Sequence, residues 1–378
     1  MCRLALDWLT ESAIVPAVQA NGQVVEPSAR GPVLVTGGTG FLGEHLLRAL
    51  RGRGQAVRVL TREPTAELRE LGVSVYQGDL LVDSQRATPT QPDAGQDDAP
   101  SEALDLALDG VKEVYHLAGM VSRDPARTQQ MMHLHVDGTR RLLLACKRAG
   151  VRRVLLASTS GTIAISRDPD PIPDETWPYP VELCGDWPYY LSKIYQEKLA
   201  LELAPKLGIE LVVVNPSLLL GPGDRRGSST MDVRKLLCNE VPAIPSGGVN
   251  FVDVRDVATA CVAAMEKGRS GQRYLLGGPN WTFAEFLGRL GRIARVDGPW
   301  LKLPSRWNRV LEGAVRAVDE LYRHHGQTSP IERISFEMSQ HYWYCDSSLA
   351  ARELGFTFRD PAETLDDTVR DIRKSLRY

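Results

Sequence analysis

The stretch Val33-Leu34-Val35-Thr36-Gly37-Gly38-Thr39-Gly40-Phe41-Leu42-Gly43 constrains this chain more than any other. Val33-Leu34-Val35 is a short apolar run that reads as a buried strand. Glycines follow at Gly37, Gly40 and Gly43, and a segment with helical periodicity then runs to about Arg53. A glycine motif carries weight only in this setting, directly after a strand and opening a helix. Its glycines permit a tight turn and let backbone N–H groups approach a pyrophosphate at the helix N-terminus. Gly37, Gly40, Phe41, Leu42 and Gly43 are therefore the candidate phosphate cradle.

Further strands are predicted at Ala56–Leu60, Val73–Tyr76, Val114–Ala118, Val154–Ala157 and Leu211–Val214, with a long helix over Gln129–Gly150. Strands that are apolar throughout and alternate with helices imply a parallel sheet covered on both faces. The fold class expected is α/β, a Rossmann-type doubly wound parallel sheet with a smaller mixed C-terminal substrate lobe. The domain reading is a tail over 1–31, a dinucleotide-binding domain over 32–220 and a substrate-binding lobe over 221–378. Elements near 249–268 return to the first domain. A strand near Gln272–Leu276 and amphipathic segments over Arg306–Tyr322 and Pro361–Leu376 fall in the lobe. Residues 84–101 are rich in Pro, Gln, Asp, Thr and Ala with no apolar period, and read as a flexible insertion.

Composition removes several classes. The net charge is −2, so no basic excess points to nucleic acid. The 6 cysteines are scattered without a Cys-x-x-Cys pair, against a disulfide framework or zinc site and in keeping with a reducing cytoplasm. No apolar run approaches the ~20 residues of a membrane helix. Asp7, Glu11 and Pro16 interrupt the N-terminus as a signal peptide. His133 and His135 are two apart on a helix and face different ways, so no metal is expected.

The end of the second strand chooses the cofactor. An acid there holds a ribose 2′-hydroxyl, and an Arg suits a 2′-phosphate. Here the residues are Leu60-Thr61-Arg62-Glu63, and Arg62 tilts the choice between NAD(H) and NADP(H) toward NADP(H). Asp79, in Gly78-Asp79-Leu80, can accept from an adenine amino group.

Ser160 ends the fifth strand, where its hydroxyl can orient a substrate oxygen. Tyr189 and Lys193 lie four apart, one turn from each other on one helix face. An adjacent ammonium favours the phenolate and lowers a tyrosine pKa. The trio suits hydride transfer between a nicotinamide and a carbonyl carbon, with Tyr189 exchanging the proton on oxygen.

These marks, with His116-Leu117-Ala118-Gly119, Val136-Asp137-Gly138-Thr139 and Phe251-Val252-Asp253-Val254-Arg255-Asp256-Val257-Ala258, resemble the extended short-chain dehydrogenases/reductases, the superfamily of NAD-dependent epimerases and dehydratases. The resemblance runs from Pro32 to the C-terminal helix, apart from the insertion. It implies a nicotinamide cofactor, Ser160, Tyr189 and Lys193 as the active triad, and Ala118, Gly119, Pro216, Ser217 and Leu218 flanking the cofactor. Many relatives carry an Asn where this chain has His135, which is not counted as catalytic. Helices near Gln129–Gly150 and Tyr189–Lys206 would form a homodimer by analogy.

Ser160-Gly161-Thr162-Ile163 lacks the acid pair of sugar-nucleotide 4,6-dehydratases. It is closer to dihydroflavonol-4-reductase-like and 3β-hydroxysteroid-dehydrogenase-like members, as is Arg62-Glu63-Pro64. The leading expectation is a ketone reductase, or the reverse alcohol dehydrogenase, acting on a bulky apolar cyclic small molecule. Trp177, Tyr179, Trp187, Tyr190 and Trp281 are candidate apolar walls. The alternatives are a nucleotide-sugar epimerase and a non-catalytic dinucleotide sensor. For the epimerase, Arg225 or Arg226, on a loop over the site at Gly221–Gly227, would meet the substrate anion.

Overall fold

The structure is a computed structural model that describes residues 31–81, 101–299, 301–304, 308–325 and 332–376. Residues 1–30 and 82–100 hold nearly all of the expected tail and insertion and lie outside the described residues.

The strands are β1 Val33–Thr36, β2 Val57–Thr61, β3 Ser74–Gln77, β4 Glu113–His116, β5 Arg153–Ala157, β6 Glu210–Pro216, β7 Leu218–Leu220, β8 Gly248–Asp253, β9 Arg273–Leu276, β10 Asn280–Thr282 and β11 Tyr342–Trp343. The helices are α1 Phe41–Gly52, α2 Ala66–Glu70, α3 Glu102–Leu108, α4 Thr128–Met132, α5 Gly138–Ala149, α6 Val181–Cys184, α7 Pro188–Lys206, α8 Met231–Leu237, α9 Val254–Lys267, α10 Phe283–Ala294, α11 Asn308–His324, α12 Arg333–Ser339, α13 Ser348–Leu354 and α14 Pro361–Ser375.

Among the described residues the main sheet has the order β3-β2-β1-β4-β5-β6-β9. Every pairing in it is parallel. The order reverses between β1 and β4, and the crevice at such a reversal is where ligands of these sheets bind. All four residues of β1 are buried, as a strand covered on both faces requires. Leu42, Leu46 and Leu47 of α1 pack with Val257 and Cys261 of α9 on one face. Leu104 of α3, Leu142 of α5 and Ala200 of α7 cover the other.

The strand expected in the smaller lobe near 272–276 is corrected: it is β9, the edge strand of the parallel sheet, paired as Val213↔Arg273. The smaller sheet forms instead around β8, which pairs antiparallel with β10 and parallel with β11 and β7. Its core joins Phe251 to Phe286, Leu290, Leu365 and Val369. The helix expected over 129–150 is α4, a π-helical turn at His133–Asp137, and α5, ending at Gly150 with φ +69°. Single π turns within α-helices occur often at functional sites.

Candidate active site

The glycine turn is dictated by contact. Gly37 has φ +75°, and a Cβ there would lie 2.6 Å from the Ala118 nitrogen in the loop after β4. A Cβ on Gly43 would lie 2.1 Å from the Gly37 carbonyl oxygen. No side chain caps Gly40, so the N-terminus of α1 keeps its anion-binding character. Arg62 is exposed at the tip of β2, and Asp79 accepts from the Leu81 N–H at 3.1 Å in a local turn. Ala118 and Gly119 follow β4, while Pro216, Ser217 and Leu218 span the end of β6 and the start of β7. The Ser217 Oγ is buried without a hydrogen-bond partner.

Pro188 sits in the first turn of α7, where its missing N–H costs nothing. Tyr189 and Lys193 follow on one face. The Tyr189 side chain hydrogen-bonds Thr159, one residue before the expected Ser160. The reason is local. Thr159 is the last extended residue after β5, and Ser160 opens a 3-10 turn over Ser160–Thr162, so the strand alternation stops between them. Ser160 is buried nearby, and Ser158 Oγ donates to Glu197 Oε2 at 2.6 Å.

The electrostatics depart from the expectation that Lys193 acidifies Tyr189. Burial pushes the Tyr189 phenol up to about 12, against the lowering effect of Thr159. Burial pulls Lys193 down to about 7, opposed by the Glu197 carboxylate. The ammonium donates to the Ala157 carbonyl oxygen at 2.8 Å and to Gln196 Oε1. Loss of hydration is the leading cause of both shifts.

Two histidines to which the sequence pattern assigns no role border this centre. His135, in the π turn, accepts from the Met120 N–H at Nε2 (3.0 Å) and meets Ser192 Oγ at Nδ1 (2.8 Å). Its ring lies edge-on to Tyr189, centroids 6.1 Å apart. His133 instead pairs with Asp137 at 2.8 Å. His116, at the end of β4, is held down at about 3, by burial first and the Lys193 charge second. His135 lies well below its ordinary value for the same reasons. Both therefore bind fewer protons folded than unfolded between their folded values and ~6.5. Their contribution is complete above that pH and is lost on acidification, by up to about 1.4 kcal/mol per pH unit each. Urea unfolding is expected to show stability roughly 2–3 kcal/mol lower at pH 5.5 than at pH 7. A flat profile over that range would contradict the neutral state of the pair.

Glu197 continues the Tyr189–Lys193 face by one more turn and is fully buried. It accepts from Ser158, Thr162 Oγ1 (3.0 Å), Asn215 Nδ2 (2.9 Å) and the Tyr179 hydroxyl (3.1 Å). Arg273 of β9 supplies its counter-charge at 3.5 Å. This carboxylate ties the end of β5, α7, β6 and β9 together directly behind the catalytic candidates.

The aromatic residues divide. Tyr179 lies under the Arg273 guanidinium, 4.9 Å from its ring centroid. Trp187 is buried against Trp343, with ring centroids 5.7 Å apart. Trp177 packs beside Ile163 and Leu275, and Trp281 packs on Phe251 in the smaller lobe. These four serve packing. Tyr190 is the one that stays beside Tyr189, at 5.0 Å, with Trp343 at 4.9 Å on its other side. A Cβ on Gly161 would meet the Tyr190 ring at 2.2 Å, so glycine is required for this approach. The Gly221–Gly227 loop is fastened, not free. Gly221 N–H donates to Thr368 and Gly223 N–H to Asp371, while Arg225 pairs with Glu67 and Glu44. Among the described residues, no helix is long and apolar enough to cross a membrane.

Comparison with known proteins agrees with the fold. The NAD dependent epimerase/dehydratase family model matches residues 33–277, from the first strand of the parallel sheet to just past the last. Sterol demethylase protein B of Methylococcus capsulatus is 31% identical, over 90% of this chain and 98% of its own. Cinnamoyl-CoA reductase 1 of Oryza sativa subsp. japonica is 33% identical, over 69% of this chain and 75% of its own. The crystal structure of gox2253 superposes with a TM-score of 0.75 at 29% identity, over 91% of this chain and 98% of that one. The chain belongs to the NAD dependent epimerase/dehydratase family, within the extended short-chain dehydrogenases/reductases.

Proposed function

We propose that this protein is an NAD(P)H-dependent reductase that converts a ketone on a bulky, largely apolar cyclic metabolite to the secondary alcohol. The observation that carries the reading is the half-buried Tyr189, hydrogen-bonded to Thr159 with Lys193 one turn below. A phenol held near 12 stays protonated at neutral pH, which suits donation to a carbonyl oxygen as hydride arrives. Thr159 and Ser160 are both close enough in the chain to orient that oxygen. The Lys193 ammonium then stabilises the phenolate left behind. Tyr190, backed by Trp343, offers an apolar ring face beside the reacting position.

The residues present fit a nicotinamide dinucleotide. The uncapped start of α1 and the close-packed glycines suit a pyrophosphate held by Gly37, Gly40, Phe41, Leu42 and Gly43. The orphaned Ser217 Oγ, with Pro216 and Leu218, suits a polar group of the cofactor, and Ala118 and Gly119 line the opposite side. Asp79 and Leu80 serve the adenine end. When bound, the cofactor supplies the hydride. Arg62 favours a 2′-phosphate and so NADP(H). Arg62→Ala is expected to weaken NADPH binding more than NADH binding in parallel titrations. Equal effects would remove the argument for NADP(H).

The names of the two relatives, a sterol demethylase protein and a cinnamoyl-CoA reductase, support large apolar substrates, and the second supports a reducing role. Arg225, a cation that a nucleotide-sugar epimerase would use, pairs instead with Glu67 and Glu44. The deciding experiment mixes the purified protein with NADPH or NADH and a panel of cyclic ketones, following absorbance of the reduced nicotinamide. Stoichiometric oxidation is expected. Turnover of a nucleotide sugar without net cofactor change would overturn the reading in favour of an epimerase. Cofactor binding without turnover across the panel would leave a dinucleotide sensor.

A further inference from the structure

A row of buried polar side chains runs from Lys193 to the glycine turn. Lys193 donates to Gln196 Oε1. Gln196 Nε2 donates to Thr139 Oγ1 at 2.7 Å. Thr139 Oγ1 and His116 Nε2 are 2.9 Å apart, and His116 Nδ1 and Thr36 Oγ1 are 2.7 Å apart. Thr36 precedes Gly37, and its Oγ1 also accepts from the Ala118 N–H at 3.4 Å. All five side chains are at most 4% exposed. They come from α7, α5, β4 and β1, so the row crosses the sheet's switch point from one side of the site to the other.

The donor inventory gives the row a direction. Charged Lys193 offers donors and no acceptor, so Gln196 turns its oxygen to Lys193 and its amide nitrogen to Thr139. Thr139 then accepts from Gln196 and has one proton left to give. In the chain proposed below that proton goes to His116 Nε2, the one acceptor of a neutral imidazole. His116 must then carry its own proton on Nδ1 and donate it to Thr36. A buried row of hydrogen bonds with every member partnered is stiff.

We propose that Gln196, Thr139, His116 and Thr36 are positioning residues that form a one-way hydrogen-bond chain, aiming Lys193 and locking it to the cofactor's glycine turn. The inference rests on Lys193 acting as proposed above. Its structural content is independent of turnover. The chain holds the lysine at a fixed height relative to the turn that cradles the pyrophosphate. Two halves of the site, contributed by the first strand and the seventh helix, are thereby kept in register before any ligand arrives.

The test uses the full-length protein labelled with 15N-histidine and two-bond 1H–15N correlation spectra. His116 is assigned by the resonance lost in His116→Gln. The expected wild-type pattern is protonated Nδ1 with Nε2 unprotonated and hydrogen-bonded. A proton on Nε2 would overturn the chain whatever the enzyme does. Thr139→Val cuts the chain at its middle and leaves both neighbours unpaired. It is expected to shift the His116 Nε2 resonance and lower kcat about tenfold while moving the cofactor KM by less than about threefold. Thr139→Ser restores the hydroxyl and is expected to recover both signals. An unshifted His116 resonance with wild-type kcat in Thr139→Val would overturn the proposal, as would a Thr139→Ser variant no better than Thr139→Val. Gln196→Met cuts the chain one link nearer the lysine and is held to the same outcomes, should Thr139→Val fail to fold. Near-normal turnover by Tyr189→Phe would sink the reductase reading but leave the tautomer result standing, so the two failures are separable.

Discussion

Replacing Tyr189 by phenylalanine is expected to lower kcat by at least ~10², equivalent to about 2.7 kcal/mol of transition-state stabilisation. Cofactor affinity should be nearly unchanged, because the ring and its contact with Tyr190 remain while only the hydroxyl leaves. Steady-state kinetics with a responsive ketone and a cofactor titration check both halves. Near-normal turnover would mean that the proton comes from elsewhere. The same assay ranks the neighbouring hydroxyls. Thr159→Val should cost more than Ser160→Ala, since Thr159 is the residue bonded to Tyr189. The reverse order would return the orienting role to Ser160.

Glu197→Ala carries the largest expected effect on stability. The substitution strips the partner from a buried guanidinium and removes an acceptor shared by Ser158, Thr162, Asn215 and Tyr179. Breaking one side of a buried ion pair costs about 3–5 kcal/mol. Removing both charges with apolar residues of similar size costs less, so Glu197→Met with Arg273→Met should be milder than the sum of the two single changes. Urea midpoints of the single and double variants provide the check. A Glu197→Ala protein within about 1 kcal/mol of wild type would show that solvent reaches the pair and screens it.

The parts of this molecule legible in the sequence are those decided within a few residues. The glycine turn declares itself because strand, turn and helix are contiguous, and the Tyr189–Lys193 face because helical spacing is local. Glu197 extends that face by the same spacing and could have been read from it. Its partner could not, because Arg273 reaches it only through the sheet. The segment 273–276 was legible as a strand, but nothing local says which sheet it joins. The choice between Thr159 and Ser160 turns on where β5 stops and the 3-10 turn begins, a boundary that sequence patterns locate poorly. The sign of the Tyr189 shift is not legible from the pair's spacing for a different reason. Helical spacing carries the ammonium's attraction but not the loss of water around both groups, which is the leading cause of both shifts. Tyr179 and Trp187 looked like substrate walls because composition cannot distinguish an aromatic facing a ligand from one packed under an arginine or another indole.

The position of β9 at the sheet edge bears on how the chain matures. A ribosome releases the glycine turn, Tyr189, Lys193 and Glu197 well before it releases Arg273. Until that strand docks, the carboxylate behind the nascent helix lacks its guanidinium partner, and sealing it from water is less favourable. The first six strands are thus discouraged from closing into a dry, finished half. The reaction centre is completed by the last strand of the parallel sheet to be translated.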